Sequence, residues 1–338
     1  MTVASAVAPE RDAGRLRGTQ AAIDMRVRSI TFEAQGIHSL DLRPLNGDAL
    51  APFTAGAHVD LHLPNGITRS YSLVNPQGER HRYVVAIHRD PASRGGSRFV
   101  HESLRAGDVL RVGAPRNNFR LAEEAAHSLF IAGGIGITPL WCMIQRLAEL
   151  GRSWELHYCA RTRSNAAFLE PIAALSAGGS GRVHLVFDRE PGGRMLDIVE
   201  VVAAASPDTH LYCCGPSSML AAFEQATGTR PPGNVHVEYF AAKKEARVGG
   251  GGFTVVLARS GRSIAVPPGR TILEALLDEG IEVQHSCMQG VCGSCETGVI
   301  EGIPDHRDTV LSDAEKASNR TVMICCAGSK TGELVLDL

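Results

Sequence analysis

The sequence predicts a multidomain chain: an antiparallel β-barrel, an α/β domain on a parallel sheet, and a small α+β domain of β-grasp type. Three observations carry that reading. The first third alternates apolar and polar residues, as in Met25-Arg26-Val27-Arg28-Ser29-Ile30, the period of strands with one buried face. From Ser128 the pattern changes to strand, glycine turn and helix, repeated along the chain. Beyond a glycine run, a hairpin and a short helix precede a crowd of cysteines. A length of 338 residues is long for one hydrophobic core and agrees with several domains.

Each element follows from local chemistry. Residues 1–21 mix alanine, proline, glycine and charge without an apolar segment, so they read as a flexible tail and not a signal peptide. Residues 22–123 are the barrel domain. His58-Val59-Asp60-Leu61-His62-Leu63 and Arg82-Tyr83-Val84-Val85-Ala86-Ile87 repeat the alternation between Gly, Pro and Asn breaks, and about six such strands make a small barrel. Residues 124–240 are the α/β domain. Leu129-Phe130-Ile131-Ala132 is a buried strand, Gly133-Gly134-Ile135-Gly136 is its turn, and Thr138 and Pro139 are expected as N-cap and N1 of the next helix. Leu140, Met143, Ile144, Leu147 and Leu150 share one side of that helix, which stops at Gly151. Strands over 155–160, 183–187, 209–213 and 235–239 follow, with helical stretches between them, as in a parallel sheet covered on both faces. Residues 241–252 (AAKKEARVGGGG) read as a linker. In residues 253–338, 253–257 and 263–266 make a hairpin, and Thr271 with Glu274 forms a capping box for a helix over 272–279.

Composition narrows the function. A net charge of −2 offers no basic surface for nucleic acid or an anionic membrane, and no apolar run approaches the roughly 20 residues of a membrane span. A cytoplasmic protein is expected. Five of nine cysteines crowd into residues 287–326, and the other four sit in apolar runs. In a reducing compartment clustered cysteines are ligands and scattered ones small core hydrophobes.

Cys287-x4-Cys292-x2-Cys295, followed 29 residues later by Cys325, has the spacing of a plant-type 2Fe–2S site. Gly290 and Gly293 permit the tight turns that aim backbone N–H groups at sulfur, and Ser286 and Ser294 offer hydroxyl donors. A structural zinc site is the alternative, although zinc sites usually pair their cysteines twice. Cys325 and Cys326 point to opposite sides of an extended chain, so only one of them is a ligand; the spacing favours Cys325.

The Gly133–Pro139 turn opens a helix directly after a strand, where N–H groups and the helix dipole can hold a pyrophosphate. A plain βα turn would look similar. Cys213-Cys214-Gly215-Pro216, then Met219, ends a later strand of the same sheet, on the edge where open α/β sheets bind ligands. Cys214 there either faces a nicotinamide or is a buried structural thiol. Arg161 and Arg163 follow another strand, as cofactor contacts or as solvated loop residues. Arg69-Ser70-Tyr71-Ser72-Leu73 offers a cation, a phenol and serine hydroxyls that suit a flavin, as well as a surface strand. Arg94-Gly95-Gly96-Ser97 is a second glycine-rich anion loop.

RSYSL, RGGS, GGIGITP, CCGPSSM and CMQGVCGSC thus stand in one order on one chain. The combination resembles the phthalate dioxygenase reductase family, including the vanillate O-demethylase reductase components, over nearly all of 26–338. The resemblance implies an FMN-binding barrel, an NAD-binding domain of ferredoxin-reductase type and a plant-type ferredoxin domain. Carried over to this chain, it implies that Arg69, Ser70, Tyr71 and Ser72 contact FMN, with Gly95, Gly96 and Ser97 near its phosphate. His88 stands where relatives often have lysine. Gly133, Gly134, Gly136, Thr138, Pro139, Arg161, Cys214, Gly215, Pro216 and Met219 would hold NADH, and Phe240 would lie beside the flavin. Ser72, Thr138, Cys214 and Phe240 would be nearest the reacting atoms. Counting back from the terminal strand again places the fourth iron ligand at Cys325, although Cys325-Cys326-Ala327-Gly328-Ser329 departs from the family's usual Cys-x-Ser-Arg.

The implied function is a monomeric, NADH-dependent reductase that passes electrons through FMN and a 2Fe–2S cluster to a terminal oxygenase. The expected partner is a Rieske-type aromatic-ring dioxygenase or O-demethylase. A haem-thiolate monooxygenase is the alternative partner. A redox-responsive binding protein whose metal merely staples the fold is the alternative of another class.

Overall fold

The computed structural model describes residues 22–179, 181–241 and 251–338, so the expected tail and nearly all of the expected linker lie outside the described residues. Contacts divide the chain into two compact units. One takes the residues through Val59 with Ser72–Arg89 and Ser103–Val237; the other takes Asp60–Tyr71, Asp90–Glu102 and Glu238–Leu338. The three expected sheets are present, but two short segments from the first third of the chain belong to the same compact unit as the cysteines.

The first sheet holds β1 (Ile23–Ala34), β2 (Ile37–Pro44), β3 (His58–His62), β4 (Thr68–Ser72), β5 (Tyr83–His88) and, after α1 (Gly96–Glu102), β6 (Val109–Val112). Its order is β4-β3-β6-β1-β2-β5. β1 shows why the alternation matters: Met25 and Val27 are buried while Asp24, Arg26 and Arg28 face solvent. Just past β4, Leu73 bridges Val85 of β5, and the Val74 N–H donates to the Val84 carbonyl at 2.9 Å. These bonds join the two ends of the sheet order and close it into a barrel, removing its open edges.

The second sheet holds β7 (His127–Gly133), β8 (Ser153–Ala160), β9 (Gly181–Phe187), β10 (His210–Cys214) and β11 (Val235–Glu238), with α2 (Ile137–Glu149), α3 (Leu169–Ser176), α4 (Ile198–Ala204) and α5 (Ser217–Ala226) between them. Its order is β11-β10-β7-β8-β9, and β7 pairs in parallel with both β8 and β10. The order of the chain therefore reverses at β7, which makes its C-terminal end the topological switch point of the sheet. Leu129 to Ala132 are buried, as a strand covered on both faces requires.

The start of α2 differs from expectation. A 3-10 turn over Gly134–Gly136 winds straight into the helix, so Gly136 is the N-cap, Thr138 lies inside the first turn and Pro139 follows it. The Thr138 hydroxyl donates to the Ile135 carbonyl at 2.9 Å instead of capping a later N–H. Proline is tolerated there because the first turn's N–H groups have no helical partner in any case. At the other end the chain leaves the helix through Gly151 at φ +64°, while Leu150 is half exposed and outside the buried stripe.

The third sheet is formed by β12 (Phe253–Leu257), β13 (Ser263–Val266), β14 (Glu296–Glu301), β16 (Thr321–Met323) and β18 (Glu333–Leu336), in the order β13-β12-β18-β14-β16. β15 (Pro304–Asp305) and β17 (Gly328–Ser329) pair separately. β12 and β18 run parallel through the centre, and α6 (Ile272–Asp278) adds Ile272, Leu273 and Leu276 to the core. The Thr271–Glu274 capping box is formed, and Ser312 with Glu315 makes a second one for α7 (Asp313–Ser318). Among the described residues no helix is long and apolar enough to cross a membrane.

At the switch point the backbones of two turns touch. A methyl group on Gly136 would sit 2.1 Å from the Cys214 carbonyl oxygen, and one on Gly133 would meet Pro216 at 2.5 Å. Gly136→Ala should therefore destabilise the parallel-sheet domain by about 3 kcal/mol, the upper range for overpacking. Both tryptophans, Trp141 and Trp154, lie in this domain, so their fluorescence in a denaturant titration would report the loss.

Candidate functional site

The cysteine loop lies between α6 and β14. Its backbone enters the left-handed region at Met288 (φ +55°), Gly290 (φ +69°) and Gly293 (φ +75°). These turns bring the Gln289 N–H to Cys287 Sγ and the Gly290 N–H to Cys325 Sγ, each at 3.3 Å. Cys287, Cys292, Cys295 and Cys325 are all buried, and none of the nine cysteines forms a disulfide. Their sulfurs interact along a chain: Cys292 with Cys287, Cys287 with Cys325, Cys325 with Cys295. That spread suits two irons better than one tetrahedral ion. Hydrogen bonds from Cys287 and Cys295 pull Cys325 far toward thiolate, and the Cys287 contact lowers Cys292 to about 6. The donor set, buried cysteine sulfurs with backbone N–H groups aimed at two of them, fits an iron–sulfur cluster. Cys326 Sγ also contacts the Cys325 sulfur, while it faces the Met323 carbonyl at 3.6 Å and packs over Gly290.

In the same compact unit the loop meets the Arg69 strand. Ser70 Oγ lies 3.0 Å from Ser286 Oγ, and Arg94 reaches the Cys287 carbonyl at 3.5 Å. Ser70, expected as a flavin contact, also donates to Asp60 Oδ1 at 2.6 Å, so its hydroxyl is turned toward the cysteines. Arg69 packs its side chain over Gly96, where a methyl group would come within 2.9 Å. Burial, and then the like charge of Arg94, lowers the Arg69 pKa. Neither guanidinium has a carboxylate partner among the described residues. Two cations left unneutralised beside a glycine pair form an anion cradle, and a flavin phosphate fits that charge. Burial pushes the Tyr71 phenol up to about 12, so it stays protonated.

The glycine loop itself is organised by Ser93, which the sequence reading passed over. Its Oγ accepts from the Gly95 N–H at 3.2 Å and lies 3.0 Å from Ser97 Oγ, so the Ser97 hydroxyl is committed within the loop. Ser72 is buried at the end of β4. His88, at the end of β5 in the other unit, lays its ring over Gly36. Phe240 is 42% exposed, two residues past the end of β11. Between them in sequence, Glu238 is a further group that the alternation did not flag. Its Oε2 is shut from solvent with no hydrogen-bond partner, and burial raises its pKa to about 8.

The nicotinamide candidates converge in the other unit. The register pairs Cys214 with Ala132, which places the Gly133–Gly136 and Gly215–Pro216 turns side by side. Met219 Sδ packs against both Gly133 and Gly215. The Cys214 side chain is fully buried, so the surface of this turn is backbone, Gly215 and Pro216. Gly134 has open space beside its Cα and a φ of +54°, leaving its backbone accessible. Arg161 is exposed after β8, with its carbonyl bonded to the Arg189 N–H, while Arg163 lies over the Phe187 ring at 5.1 Å.

Away from the cysteines, Glu155, His157 and His184 have ligand-type atoms that all lie within 4.8 Å of one another. Both histidines place Nε2 on Glu155 Oε1, at 3.0 and 3.2 Å, and Arg182 holds Oε2. His157 Nδ1 is buried without a partner. A metal on Nε2 would move the proton to Nδ1, where nothing among the described residues accepts it. A hydrogen-bonded trio fits these contacts better than a metal site.

Comparison with known proteins agrees with this arrangement. The family model described as "Oxidoreductase NAD-binding domain" matches residues 130–225, and "2Fe-2S iron-sulfur cluster binding domain" matches 255–329. Phenoxybenzoate dioxygenase subunit beta of Ectopseudomonas oleovorans is 55% identical over 95% of this chain and 98% of its own length. The structure of phthalate dioxygenase reductase, described as modular for electron transfer from pyridine nucleotides to [2Fe–2S], is 38% identical with a TM-score of 0.69, covering 94% and 98% of the two chains. An intact type IV self-sufficient cytochrome P450 monooxygenase is also 38% identical, with a TM-score of 0.85, over 94% of this chain and 41% of that longer one. With both domains in the same order and nearly end-to-end similarity to its relatives, this chain belongs to the phthalate dioxygenase reductase family.

Proposed function

We propose that the protein is the NADH-dependent reductase component of an oxygenase system, delivering electrons singly to a separate terminal oxygenase. The observation that carries this reading is the seating of the cysteine loop on the Arg69–Tyr71 strand, through Ser286 on Ser70 and Arg94 on the Cys287 carbonyl. That strand would hold FMN, whose chemistry would be to take a hydride's two electrons and proton and release the electrons singly, and the loop would hold a 2Fe–2S cluster, a one-electron carrier.

The chain's own residues bind, orient and shield. Arg69 and Arg94, with the Gly95 and Gly96 backbone, hold the flavin phosphate, and Ser97 keeps that loop in shape. Tyr71 and Ser72 line the ring, and Phe240 covers it. Gly133, Gly134, Gly136 and Gly215 let the backbone approach the NADH pyrophosphate, while Thr138, Pro139, Pro216 and Met219 shape the floor. Cys214 supports the turn from beneath, and Arg161 lies toward the ribose. Cys287, Cys292, Cys295 and Cys325 hold iron, with Cys326 outside the set. The three modules are residues 22–123, 124–240 and 253–338. The protein works in the cytoplasm, for which the lack of any disulfide among its nine cysteines is the support, and acts as a monomer.

The partner is a Rieske-type aromatic-ring dioxygenase or O-demethylase, in keeping with the dioxygenase subunit at 55% identity. The likeness to part of a self-sufficient cytochrome P450 favours a second reading, a haem-thiolate partner. Anaerobic NADH should bleach both flavin and cluster absorbance of the purified protein, and the reduced protein should then support turnover by a Rieske oxygenase. A colourless, zinc-containing protein would overturn the reading.

The ligand set is tested separately. Cys325→Ser should lose the cluster's visible absorbance and its iron, while Cys326→Ser should keep both. Glu238 gives a pH test. Its folded pKa of about 8 lies above the usual 4.5, so between those values the folded state binds a proton that the unfolded chain releases. Stability then falls as pH rises through that window and is unaffected below it. Glu238→Gln should flatten the decline between pH 6 and pH 8, gaining on the order of 2 kcal/mol at pH 8 in denaturant titrations.

A further inference from the structure

Asp60 joins the cysteine loop to the barrel strands in a way that neither motif discloses. It lies on β3 and is 2% exposed. Ser70 Oγ donates to its Oδ1 at 2.6 Å, and Ser294 Oγ donates to its Oδ2 at 3.1 Å. Ser294 Oγ is also 3.1 Å from Cys292 Sγ, and Ser70 Oγ is 3.0 Å from Ser286 Oγ. Ser286 and Ser294 are themselves buried, at the two ends of the cysteine loop. All these residues belong to one compact unit.

The Ser294 hydroxyl has one proton and two acceptors within 3.1 Å, a carboxylate oxygen and a cysteine sulfur. A carboxylate is the stronger acceptor. The proton therefore lies toward Asp60, and a lone pair, not an O–H, faces Cys292. Hydrogen bonds to the sulfurs and nearby charge are two of the factors that set an iron–sulfur reduction potential. We propose that Asp60 is a positioning residue for the cluster: it draws the Ser294 proton off the Cys292 sulfur and so keeps the cluster's reduction potential low. This rests on the reading that Cys292 is an iron ligand. A low potential favours passing the electron outward to the partner over retaining it.

The test is a reductive titration of the holoprotein, followed by cluster absorbance and electron paramagnetic resonance. In Asp60→Asn the amide N–H can donate to Ser294 Oγ, freeing its proton for Cys292. The midpoint potential should rise by roughly the equivalent of a tenfold change in the reduction equilibrium, about 59 mV for one electron. In Ser294→Ala the midpoint should stay near wild type, since no proton was donated to sulfur. Adding Asp60→Asn to Ser294→Ala should then produce little further rise. A midpoint that falls in Ser294→Ala would overturn the proposal, because the hydroxyl would have been donating to sulfur all along. An equal rise for Asp60→Asn with and without Ser294 would also overturn it, leaving only the charge of Asp60. Wild-type protein with no 2Fe–2S signature would instead overturn the functional reading beneath the proposal.

Discussion

A buried carboxylate with a hydroxyl on each oxygen holds together the part of this molecule where the chemistry converges. Removing a charge from water is costly unless hydrogen bonds replace hydration, and Ser70 and Ser294 provide two of them to Asp60. Those two donors come from distant parts of the chain that fold into one compact unit. Satisfying the carboxylate therefore fixes the cysteine loop against the strand that carries Arg69 and Tyr71. The segments 60–71 and 90–102 group with residues 238–338, although they are neighbours of the barrel strands in sequence.

The nicotinamide side is organised by a different constraint, the absence of side chains. Where β7 and β10 end together, the Gly133–Gly136 turn and the Gly215 turn pack backbone on backbone, a separation that only glycine permits. The same choice removes side chains from the edge where, in the proposed function, a pyrophosphate would approach N–H groups. Stability and binding thus make one demand on these positions. The cysteine module resolves a comparable demand with left-handed residues at Met288 and Gly290, which turn N–H groups toward sulfur instead of toward solvent.

Most of the architecture was legible in the sequence because it rests on short-range regularities. Period-two alternation located the barrel strands, and the strand–glycine–helix rhythm located all five parallel strands. The Thr271–Glu274 capping box was readable for the same reason. The start of α2 was misplaced by two residues because a 3-10 turn can supply what an N-cap side chain normally supplies, and composition does not distinguish them. Ser70 illustrates a subtler limit. Its place in the Arg69–Leu73 motif marked it as a flavin contact but was silent on what else its hydroxyl meets, which is Ser286.

By itself the sequence determined the metal chemistry, through a cysteine spacing that few other sites share, and the family, through the order of its motifs. Those are properties of residues near one another in the chain. Only the tertiary structure decided how the cysteine loop is held, because its partners lie 216 and 234 residues away, in strands whose own pattern says nothing about them. It also showed the Gly290 N–H bonded to Cys325 and the adjacent Cys326 against a backbone carbonyl, with the two sulfurs in contact. And it isolated Glu238, an ordinary polar letter at the end of a strand, whose carboxyl pKa is pushed up to about 8 by burial. Contacts between distant segments cost chain entropy that local pattern cannot register, so they are visible only once the chain has folded.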